Sequence, residues 1–252
     1  MKIKVLSLNI EHGGVLMEAL VPFLQAADAD ILLLQEIHSG ARRLPPHLQT
    51  LQYFGGLFDY PFVDFMPQYR DFDNTVDGSS YSGIAIMSRF PILSAWHSYF
   101  DYPYTEDYRD SFEQAKYHPS ALQTAQLSIG GQTVWVANVH GPWYLAGEEP
   151  TERRERMVEA IAEATAGKEK VIVAGDTNAK SHNPVFAKLN HLNNVFGDSL
   201  RTTFNMQRKT LPGYAEAAVD MMWVSPAVKV WEKDCPPVAV SDHLPLCAVL
   251  EV

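Results

Sequence analysis

Four short polar segments in this chain each directly follow a run of apolar residues. They are Leu8-Asn9, Leu34-Gln35-Glu36, Gly175-Asp176-Thr177-Asn178 and Ser241-Asp242-His243. A strand that is apolar for several residues and then presents Asn, Glu, Asp or His brings a polar group to the rim of a sheet. Four such strands constrain the fold to one in which their ends share a rim, and they predict a functional site there.

The size and composition indicate a single domain covering residues 1–252. The hydrophobic fraction is 46% and the charged fraction 20%, values that are ordinary for a globular protein. The formal net charge of −10 disfavours broad electrostatic attraction to nucleic acid or anionic membranes, because that attraction depends on Lys and Arg. A phosphate substrate stays compatible with this charge, since bound metal cations reverse the field locally.

Cysteine usage and the N-terminal pattern bear on location. Cys235 and Cys247 are too few for a disulfide framework and lie in or near apolar strands, so we expect structural thiols. A strand pattern begins at Ile3 and Val5, without the basic and apolar regions of a secretory signal. No apolar run approaches the roughly 20 residues that span a bilayer. These features predict a cytoplasmic protein without a transmembrane segment, and no obligate protein partner is inferred.

Alternating strands dominate the chain, with few helices between them. Strand patterns cover residues 3–10, 31–34, 83–87, 92–96, 122–129, 133–139, 171–174, 219–224, 227–231 and 246–252, and helical patterns cover 15–26 and the stretch capped by Thr151. Gly130-Gly131 predicts a tight hairpin, and residues 88–91 predict a second hairpin-like pair. This order favours an α+β fold, a four-layer α/β/β/α sandwich in which two mostly antiparallel sheets pack face to face.

Two irregular stretches, 45–81 and 99–119, interrupt the strand pattern. The second is rich in aromatic residues, among them Tyr99, Phe100, Tyr102, Tyr104, Tyr108 and Phe112. Disordered linkers avoid such residues, so we expect ordered surface excursions. Two interpretations stay open: the loops pack onto the body of the protein, or they form a wall that grips substrate.

Six motifs resemble, in order, those of the endonuclease/exonuclease/phosphatase superfamily, which includes deoxyribonucleases, abasic-site endonucleases, sphingomyelinases and 5-phosphatases. They are Asn9 in Ser-Leu-Asn-Ile, Gln35-Glu36, His140 in Asn-Val-His, Gly-Asp-Thr-Asn at 175–178, Asp220 before Met-Met-Trp, and Ser-Asp-His at 241–243. Each motif is weak alone, but together they span nearly the whole chain. The sequence departs from many relatives at Ser120, where they have Arg, and this leaves the leaving-group specificity open.

The resemblance implies a divalent metal, Mg²⁺, with Mn²⁺ or Ca²⁺ as substitutes. Carboxylate and amide oxygens suit such hard cations. Glu36 is the first candidate for a metal ligand, and Asn9 would complete or support the coordination shell. Asp242 could supply a further oxygen.

The resemblance also implies a phosphate-binding group built from Asp176, Asn178, His140, His243 and Asp220. Asp176 would orient or deprotonate the attacking water, and Asn178 would contact a phosphoryl oxygen. His243 is expected to touch the phosphate while Asp220 holds its ring in the charged form. His140, at a position where the abasic-site branch has Tyr, would donate to a phosphoryl or leaving oxygen.

Each candidate also has a structural alternative. Asn9 or Asp176 can serve a turn, Asp220 can be a solvated carboxylate, and His140 can be a satisfied structural histidine. Gln35 can hydrogen-bond the backbone of the site rather than substrate.

Other charged and imidazole side chains receive weaker interpretations. The run Arg153, Arg154 and Arg156 on a predicted helix indicates a solvated face. His182, soon after the third polar segment, is a candidate rim contact.

The function that these motifs favour is metal-dependent hydrolysis of a phosphate ester, of phosphodiesterase or nuclease type, by direct attack of an activated water. Candidate substrates are nucleic acid, a nucleotide, a lipid headgroup and an inositol phosphate. An open groove lined by Arg70, Arg89 or Arg109 would favour a polynucleotide. Two alternatives stay open: a phosphomonoesterase acting on phosphorylated inositol or lipid, and a non-catalytic binding protein that retains the fold.

Overall fold

The structure is a computed structural model that describes residues 1–41, 44–71, 80–108, 117–143, 151–209 and 216–252. In chain order its strands are β1 (Lys2–Asn9), β2 (Ile31–Gly40), β3 (Phe62–Asp71), β4 (Ser80–Ser88), β5 (Ile92–Tyr99), β6 (Ala121–Ile129), β7 (Gln132–His140), β8 (Val171–Asp176), β9 (Asn193–Asn194), β10 (Asp220–Val224), β11 (Lys229–Asp234) and β12 (Leu246–Glu251). The helices are α1 (Met17–Ala27), α2 (Thr50–Leu57) and α3 (Glu152–Thr165), with 3₁₀ turns at Pro46–Leu48 and Pro184–Leu189.

Within these ranges the strands form two six-stranded sheets. The first has the order β11-β12-β1-β2-β4-β3, and the second has the order β5-β6-β7-β8-β10-β9. Most neighbours are antiparallel, but β1 pairs with β2, and β7 with β8, in parallel. A parallel pair needs a crossover connection, which α1 supplies in the first sheet and α3 in the second. The β1–α1–β2 unit of the first sheet is therefore equivalent to the β7–α3–β8 unit of the second sheet.

Three apolar layers hold the sandwich together. Between the sheets, Ile86 of the first and Val136 of the second belong to one buried core. Leu20 and Phe54 bring α1 and α2 onto the outer face of the first sheet, and Ile161 brings α3 onto the outer face of the second. Burying an aliphatic side chain of this kind stabilises the fold by roughly 1.5–3 kcal/mol. The predicted four-layer α/β/β/α sandwich is confirmed.

A buried polar contact joins the two sheets beneath the rim. Gln35 of β2 donates from Nε2 to Oδ1 of Asn138 on β7 at 2.6 Å. Asn138 in turn donates to the carbonyls of Leu34 and Ala85, both at 3.0 Å. Gln35 therefore bonds across the sandwich, and it fixes the separation of the sheets where the candidate residues lie.

The hairpin expected at residues 88–91 is wrong. β4 pairs with β2 and β3, whereas β5 pairs with β6 in the other sheet, so the segment from Ser88 to Ile92 crosses between sheets. The hairpin at Gly130-Gly131 is confirmed, because β6 and β7 pair up to Ile129 and Gln132. Gly130 and Gly131 both have positive φ, 58° and 78°, as a tight turn of this kind requires.

The irregular assignment of residues 45–81 is also wrong, since the stretch contains α2 and β3. Gly55 and Gly56 lower the helical propensity of α2, and Pro67 interrupts the strand pattern of β3. β3 is the terminal strand of its sheet and has a register shift between Pro67 and Tyr69, which is where a proline is tolerated. Among the described residues, no helix has the length and apolar character needed to cross a bilayer.

Candidate active site

The four polar segments meet at one rim of the sandwich, but only Asn9 and Asp176 end strands, β1 and β8. Glu36 lies at a bulge inside β2, which continues to Gly40, and residues 241–243 lie in the loop before β12. Asn9 pairs with Gln35, and His140 pairs with Asp176 at the ends of β7 and β8. Asp220, the first residue of β10, lies opposite Asp176 in the antiparallel register. The rim encloses a cleft of about 340 Å³. A larger groove of about 740 Å³ lies between α1 and β11, away from these side chains.

Most of the predicted residues line this cleft. The lining contains His12, Glu36, Tyr69, Tyr108, His118, His140, Trp143, Asp176, Asn178, Lys209, Asp242 and His243. Asn9 and Asp220 are buried beside it and bond to lining residues. The structure thus brings all eight predicted site residues to one place.

Asn9 links two carboxylates from different sheets. Its Nδ2 donates to Oε1 of Glu36 at 2.9 Å and to Oδ2 of Asp176 at 3.1 Å. Its Oδ1 accepts from the backbone N–H of Glu11 at 3.1 Å. Because the amide nitrogen faces the carboxylates, Asn9 in this arrangement orients them rather than presenting its oxygen to the cleft.

Glu36 lies at a bulge in β2 and has a left-handed backbone, with φ of 55°. Bulges re-aim side chains, and strained non-glycine residues cluster at functional sites. Although burial alone would raise its pKa, the charges of His12 and His140 and the hydrogen bonds from His12 and Asn9 hold the pKa of Glu36 well below its usual range. The His12 backbone N–H donates to Oε2 at 2.8 Å. Glu36 is therefore a fixed carboxylate at neutral pH.

His243 and Asp220 form a buried pair. Nδ1 of His243 lies 2.8 Å from Oδ2 of Asp220, and the ring of Phe204 contacts the imidazole edge to face at 4.9 Å. Burial opposes the charged form, but Asp220, Asp176 and Asp242 together raise the pKa of His243 to about 10. His243 is therefore an imidazolium at neutral pH, with Nε2 directed to within 3.8 Å of Oδ2 of Asp176.

His140 approaches the same carboxylate from the other side, with Nε2 4.0 Å from Oδ2 of Asp176. Its Nδ1 lies 2.9 Å from Oε1 of Gln68. Gln68 uses Nε2 to donate to the carbonyl of Pro119, so its oxygen is the atom left to accept. Nδ1 therefore carries a proton in this hydrogen bond, and Nε2 is the nitrogen that lies toward Asp176 in the cleft.

The segment after β8 forms a tight turn around Asp176. Its Oδ1 accepts from the backbone N–H of Asn178 at 2.8 Å, which leaves Oδ2 facing the two histidines. Asn178 has φ of 50° and donates from Nδ2 to the carbonyl of Gly141 at 3.2 Å. Its own carbonyl accepts from Nη2 of Arg154 at 3.0 Å.

The solvated face predicted for Arg153, Arg154 and Arg156 is wrong for the first two. Arg153 and Arg154 are buried, and Arg156 keeps 44% of its side chain exposed. Thr151 caps α3, as predicted, by accepting from the backbone N–H of Arg154. The N-terminal turn of α3 therefore points two guanidinium groups into the protein. Arg153 pairs with the carboxylate of Asp101 and donates to the carbonyl of His118, and Arg154 donates to the carbonyl of Asn178.

Asp242 contacts a cation that the sequence did not single out. Nζ of Lys209 lies 2.8 Å from Oδ2 of Asp242. Burial opposes its charge, but Asp242, Glu36 and Asp176 raise the pKa of Lys209. An ammonium drawn to three carboxylates shows that this side of the cleft favours positive charge.

The donor set fits a hard divalent cation on the side of Glu36 and Asp242, because carboxylate oxygens are the ligands such ions prefer. A second group of buried donors, Asp176, Asp220 and His243, also has ligand atoms within 4.8 Å of one another. In that group Asp220 and His243 already bond to each other, and neither Asp220 oxygen lines the cleft. The Glu36 side is therefore the better match for a metal with open positions.

Other predicted contacts lie elsewhere. Arg89 pairs with Asp28 and Asp30. Arg70 and His182 are not among the residues that line the cleft. Arg109 lies outside the described residues.

Several cleft or support residues do not follow from the sequence patterns, among them Gln68, Tyr69, His118 and Lys209. Gln68 and Tyr69 lie on β3, inside a stretch whose sequence predicts irregular structure, and His118 and Lys209 lie in loops. The alternation of β3 around Pro67 is the one signal that could have found the first two. Tyr69 and Tyr108 are both buried and both line the cleft. These two aromatic side chains therefore pack onto the body of the protein and also form part of the cleft wall.

Comparisons with known proteins agree with this architecture. A solved endonuclease/exonuclease/phosphatase from Beutenbergia cavernae superposes with a TM-score of 0.71 at 16% identity, covering 100% of this chain and 72% of that chain. A Bacteroides thetaiotaomicron mannosyl-6-phosphatase gives 0.70 at 16% identity, covering 99% and 100%. The human Nocturnin catalytic domain, solved with bound sulfate, gives 0.69 at 19% identity, covering 99% and 94%. A search of curated protein sequences finds no match.

The family assignment comes from the sequence itself. The model of the endonuclease/exonuclease/phosphatase family matches residues 6–243. This range holds all eight predicted site residues, from Asn9 to His243, and both six-stranded sheets contribute to it. The chain belongs to the endonuclease/exonuclease/phosphatase family.

Proposed function

We propose that this protein is a divalent-metal-dependent hydrolase that cleaves a phosphate ester by direct attack of an activated water. The observation that carries the proposal is the surroundings of Asp176. Its Oδ2 accepts from Asn9, which also holds Glu36, and lies within 4.0 Å of Nε2 of His140 and 3.8 Å of Nε2 of His243.

The proposed roles follow from charge. A phosphate ester needs positive charge or donors around its oxygens and a base beside the attacking water. His243, held as an imidazolium by Asp220, supplies the charge, and His140 presents Nε2 from the opposite wall. Asp176 has one oxygen committed to the backbone of Asn178, so the other is the base that orients or deprotonates the water.

The metal would be held by Glu36 and Asp242, with Asn9 orienting Glu36. When bound, Mg²⁺, Mn²⁺ or Ca²⁺ would neutralise charge on the phosphoryl oxygens and act as a Lewis acid. Lys209 supports this assignment, because its ammonium already lies against Asp242 at 2.8 Å. A bound cation would compete with Lys209 for that carboxylate.

The names of the structural neighbours point to different phosphate esters. We therefore propose to assay a panel of substrates rather than a single one. One neighbour is a mannosyl-6-phosphatase, and zebrafish TDP2 is solved with a single-stranded DNA product. The panel therefore needs a monoester arm and a nucleic-acid arm. We propose the diester arm first, as the sequence motifs favour, with the two histidines that approach Oδ2 of Asp176 as the groups that contact the phosphate.

The test is hydrolysis of bis-p-nitrophenyl phosphate and p-nitrophenyl phosphate with Mg²⁺, Mn²⁺ or Ca²⁺ and with EDTA. Asp176→Asn and Glu36→Gln should each lower kcat by about 10²-fold or more, as expected when a base or a metal ligand is lost. Asp198→Asn, the same change at an exposed carboxylate, is the matched control and should keep the full rate.

Activity that resists EDTA would contradict metal dependence. Absence of turnover with every ion, on these esters and on plasmid DNA, would favour a binding protein that retains the fold. Unchanged rates in Asp176→Asn would refute its role as the base.

A further inference from the structure

Lys209 brings a positive charge into the cleft that the proposed chemistry does not use. Among the described residues that line the cleft, it is the only lysine or arginine. Its Nζ lies 2.8 Å from Oδ2 of Asp242, and 27% of its side chain is exposed. The ammonium is therefore held by an ion pair at the cleft surface, where a ligand in the cleft can reach it.

The backbone of Lys209 is fixed to the loop that carries Asp242. The backbone N–H groups of Arg208 and Lys209 donate to the carbonyl of Asn205 at 2.9 and 3.0 Å. Asn205 is buried. It donates from its backbone N–H to the carbonyl of Asp242 at 2.8 Å and from Nδ2 to the carbonyl of Ser241 at 2.9 Å. These backbone contacts do not involve the ammonium, so Nζ can leave Asp242 while the turn stays in place.

The end of the Lys209 side chain lies on the same side of the cleft as His243. Nζ is 5.1 Å from the centroid of the Phe204 ring, and the same ring contacts the imidazole of His243 at 4.9 Å. The neighbouring cation, Arg208, instead pairs with Glu11 at 2.5 Å and is not among the lining residues. Of these two adjacent cations, Lys209 is therefore the one placed beside the proposed phosphate position.

A divalent cation on Asp242 would change the surroundings of Lys209. The charge of the ion would repel an ammonium that lies against the same carboxylate. A lysine side chain has a flexible stem and three donors on a compact charge, so its ammonium can move to another acceptor nearby. A phosphate held by His140 and His243 would offer anionic oxygens, which form strong charge-assisted hydrogen bonds with such donors.

We propose that Lys209 is a phosphate-binding residue that pairs with Asp242 in the metal-free protein and transfers to a phosphoryl oxygen when a divalent cation takes that carboxylate. This inference rests on the proposed function, which assigns the metal to Glu36 and Asp242 and the phosphate to the two histidines. The exchange couples the two ligands. The metal displaces the ammonium and the phosphate receives it, so each ligand should bind more tightly when the other is present.

The test is equilibrium binding by calorimetry, first with Mg²⁺ alone and then with inorganic phosphate at saturating Mg²⁺. Lys209→Met keeps an aliphatic side chain beside Phe204 and removes the charge. The variant should bind Mg²⁺ about 3-fold more tightly, because a partly exposed ion pair no longer has to be broken. It should bind phosphate about 10-fold more weakly, as expected for loss of a hydrogen bond between charged groups.

Two further variants serve as controls. Lys209→Arg keeps a cation that can bind phosphate and should restore most of the phosphate affinity. Lys188→Met removes the lysine of another ion pair, with Glu159 at 2.7 Å, and neither of these residues lines the cleft. Lys188→Met should bind Mg²⁺ and phosphate as wild-type protein does, and melting temperatures report folding for all three variants.

A purely structural role for Lys209 predicts the opposite result for the metal, because loss of the ion pair would loosen the loop that carries Asp242. Weaker Mg²⁺ binding by Lys209→Met, or unchanged phosphate binding, would overturn the role of Lys209 and leave the proposed hydrolase standing. An equal loss of phosphate affinity in Lys209→Arg would also overturn it. Failure of wild-type protein to bind either Mg²⁺ or phosphate would overturn the proposed function as well.

Discussion

Replacing Asp220 by Asn should convert His243 from a permanent imidazolium into a group that titrates near neutral pH. The side chain keeps its shape, and its Oδ1 can still accept from Nδ1, but the negative charge 2.8 Å away is removed. At 1.36 kcal/mol per pKa unit, the rise of the His243 pKa from 6.5 to about 10 corresponds to about 5 kcal/mol of preference for the charged ring.

Asp220 is the largest of three carboxylates that produce this rise, ahead of Asp176 and Asp242. Removing this charge should lower the pKa of His243 from about 10. Above the lowered pKa, each unit of decrease reduces the imidazolium fraction by up to about 10-fold. Activity near pH 6.5 should survive the substitution much better than activity at pH 9.

The assay has two parts: a pH profile of kcat/KM with Mg²⁺, and a ¹⁵N NMR titration of the imidazole without metal. Asp64→Asn is the matched control, because Asp64 pairs with His97 at 2.7 Å away from the cleft. A wild-type pH profile and an unshifted His243 titration in Asp220→Asn would refute the electrostatic reasoning.

The same pair makes a prediction for stability. Folding raises the pKa of His243, so its contribution to the free energy of unfolding is fully present below about pH 6.5 and is lost as the pH rises toward 10. Chemical denaturation at a series of pH values should show this loss in wild-type protein and a smaller one in Asp220→Asn.

Three further substitutions test the supports of the site. Gln68→Leu removes the acceptor for His140 and should lower kcat by about 10-fold with little change in melting temperature, as for loss of an orienting hydrogen bond; an unchanged rate would show that packing alone holds the ring. Arg154→Met leaves a buried carbonyl unpaired and should lower the free energy of unfolding by about 1–3 kcal/mol in urea titrations, whereas wild-type stability would mean that a water replaces it. Gly175→Ala would place Cβ 2.0 Å from the carbonyl oxygen of Val139, so it should yield little folded protein, and normal expression with full activity would contradict the tight approach of β7 and β8.

Local sequence patterns were enough to predict the layers and the rim. Polar residues that follow apolar runs are informative because strands bring them to one rim, as β1 and β8 do for Asn9 and Asp176, although Glu36 reaches the rim from a bulge inside β2. Partner choice could not be predicted in the same way. β4 and β5 are adjacent in sequence and alternate alike, yet they pair in different sheets, since pairing is decided by long-range packing that no short window contains.

The supports of the site were harder to predict than the motif residues. Gln68 lies in an edge strand interrupted by Pro67, and its role depends on a residue 72 positions away. The sequence predicts a surface charge at Arg154 because its neighbours on α3 are polar. Its burial follows from the turn after β8, whose carbonyl needs a donor. A side chain that donates a hydrogen bond to a distant backbone carbonyl produces no periodic pattern in the sequence.

The central claim is that carboxylates and imidazoles from both sheets surround one metal and one phosphate. The most direct measurement is a crystal structure of the protein soaked with Mn²⁺ and inorganic phosphate, with the metal located by its anomalous signal. The claim predicts a Mn²⁺ peak bound by Glu36 and a phosphate that contacts His140 and His243. A metal site that excludes Glu36, or a phosphate bound away from both histidines, would contradict it.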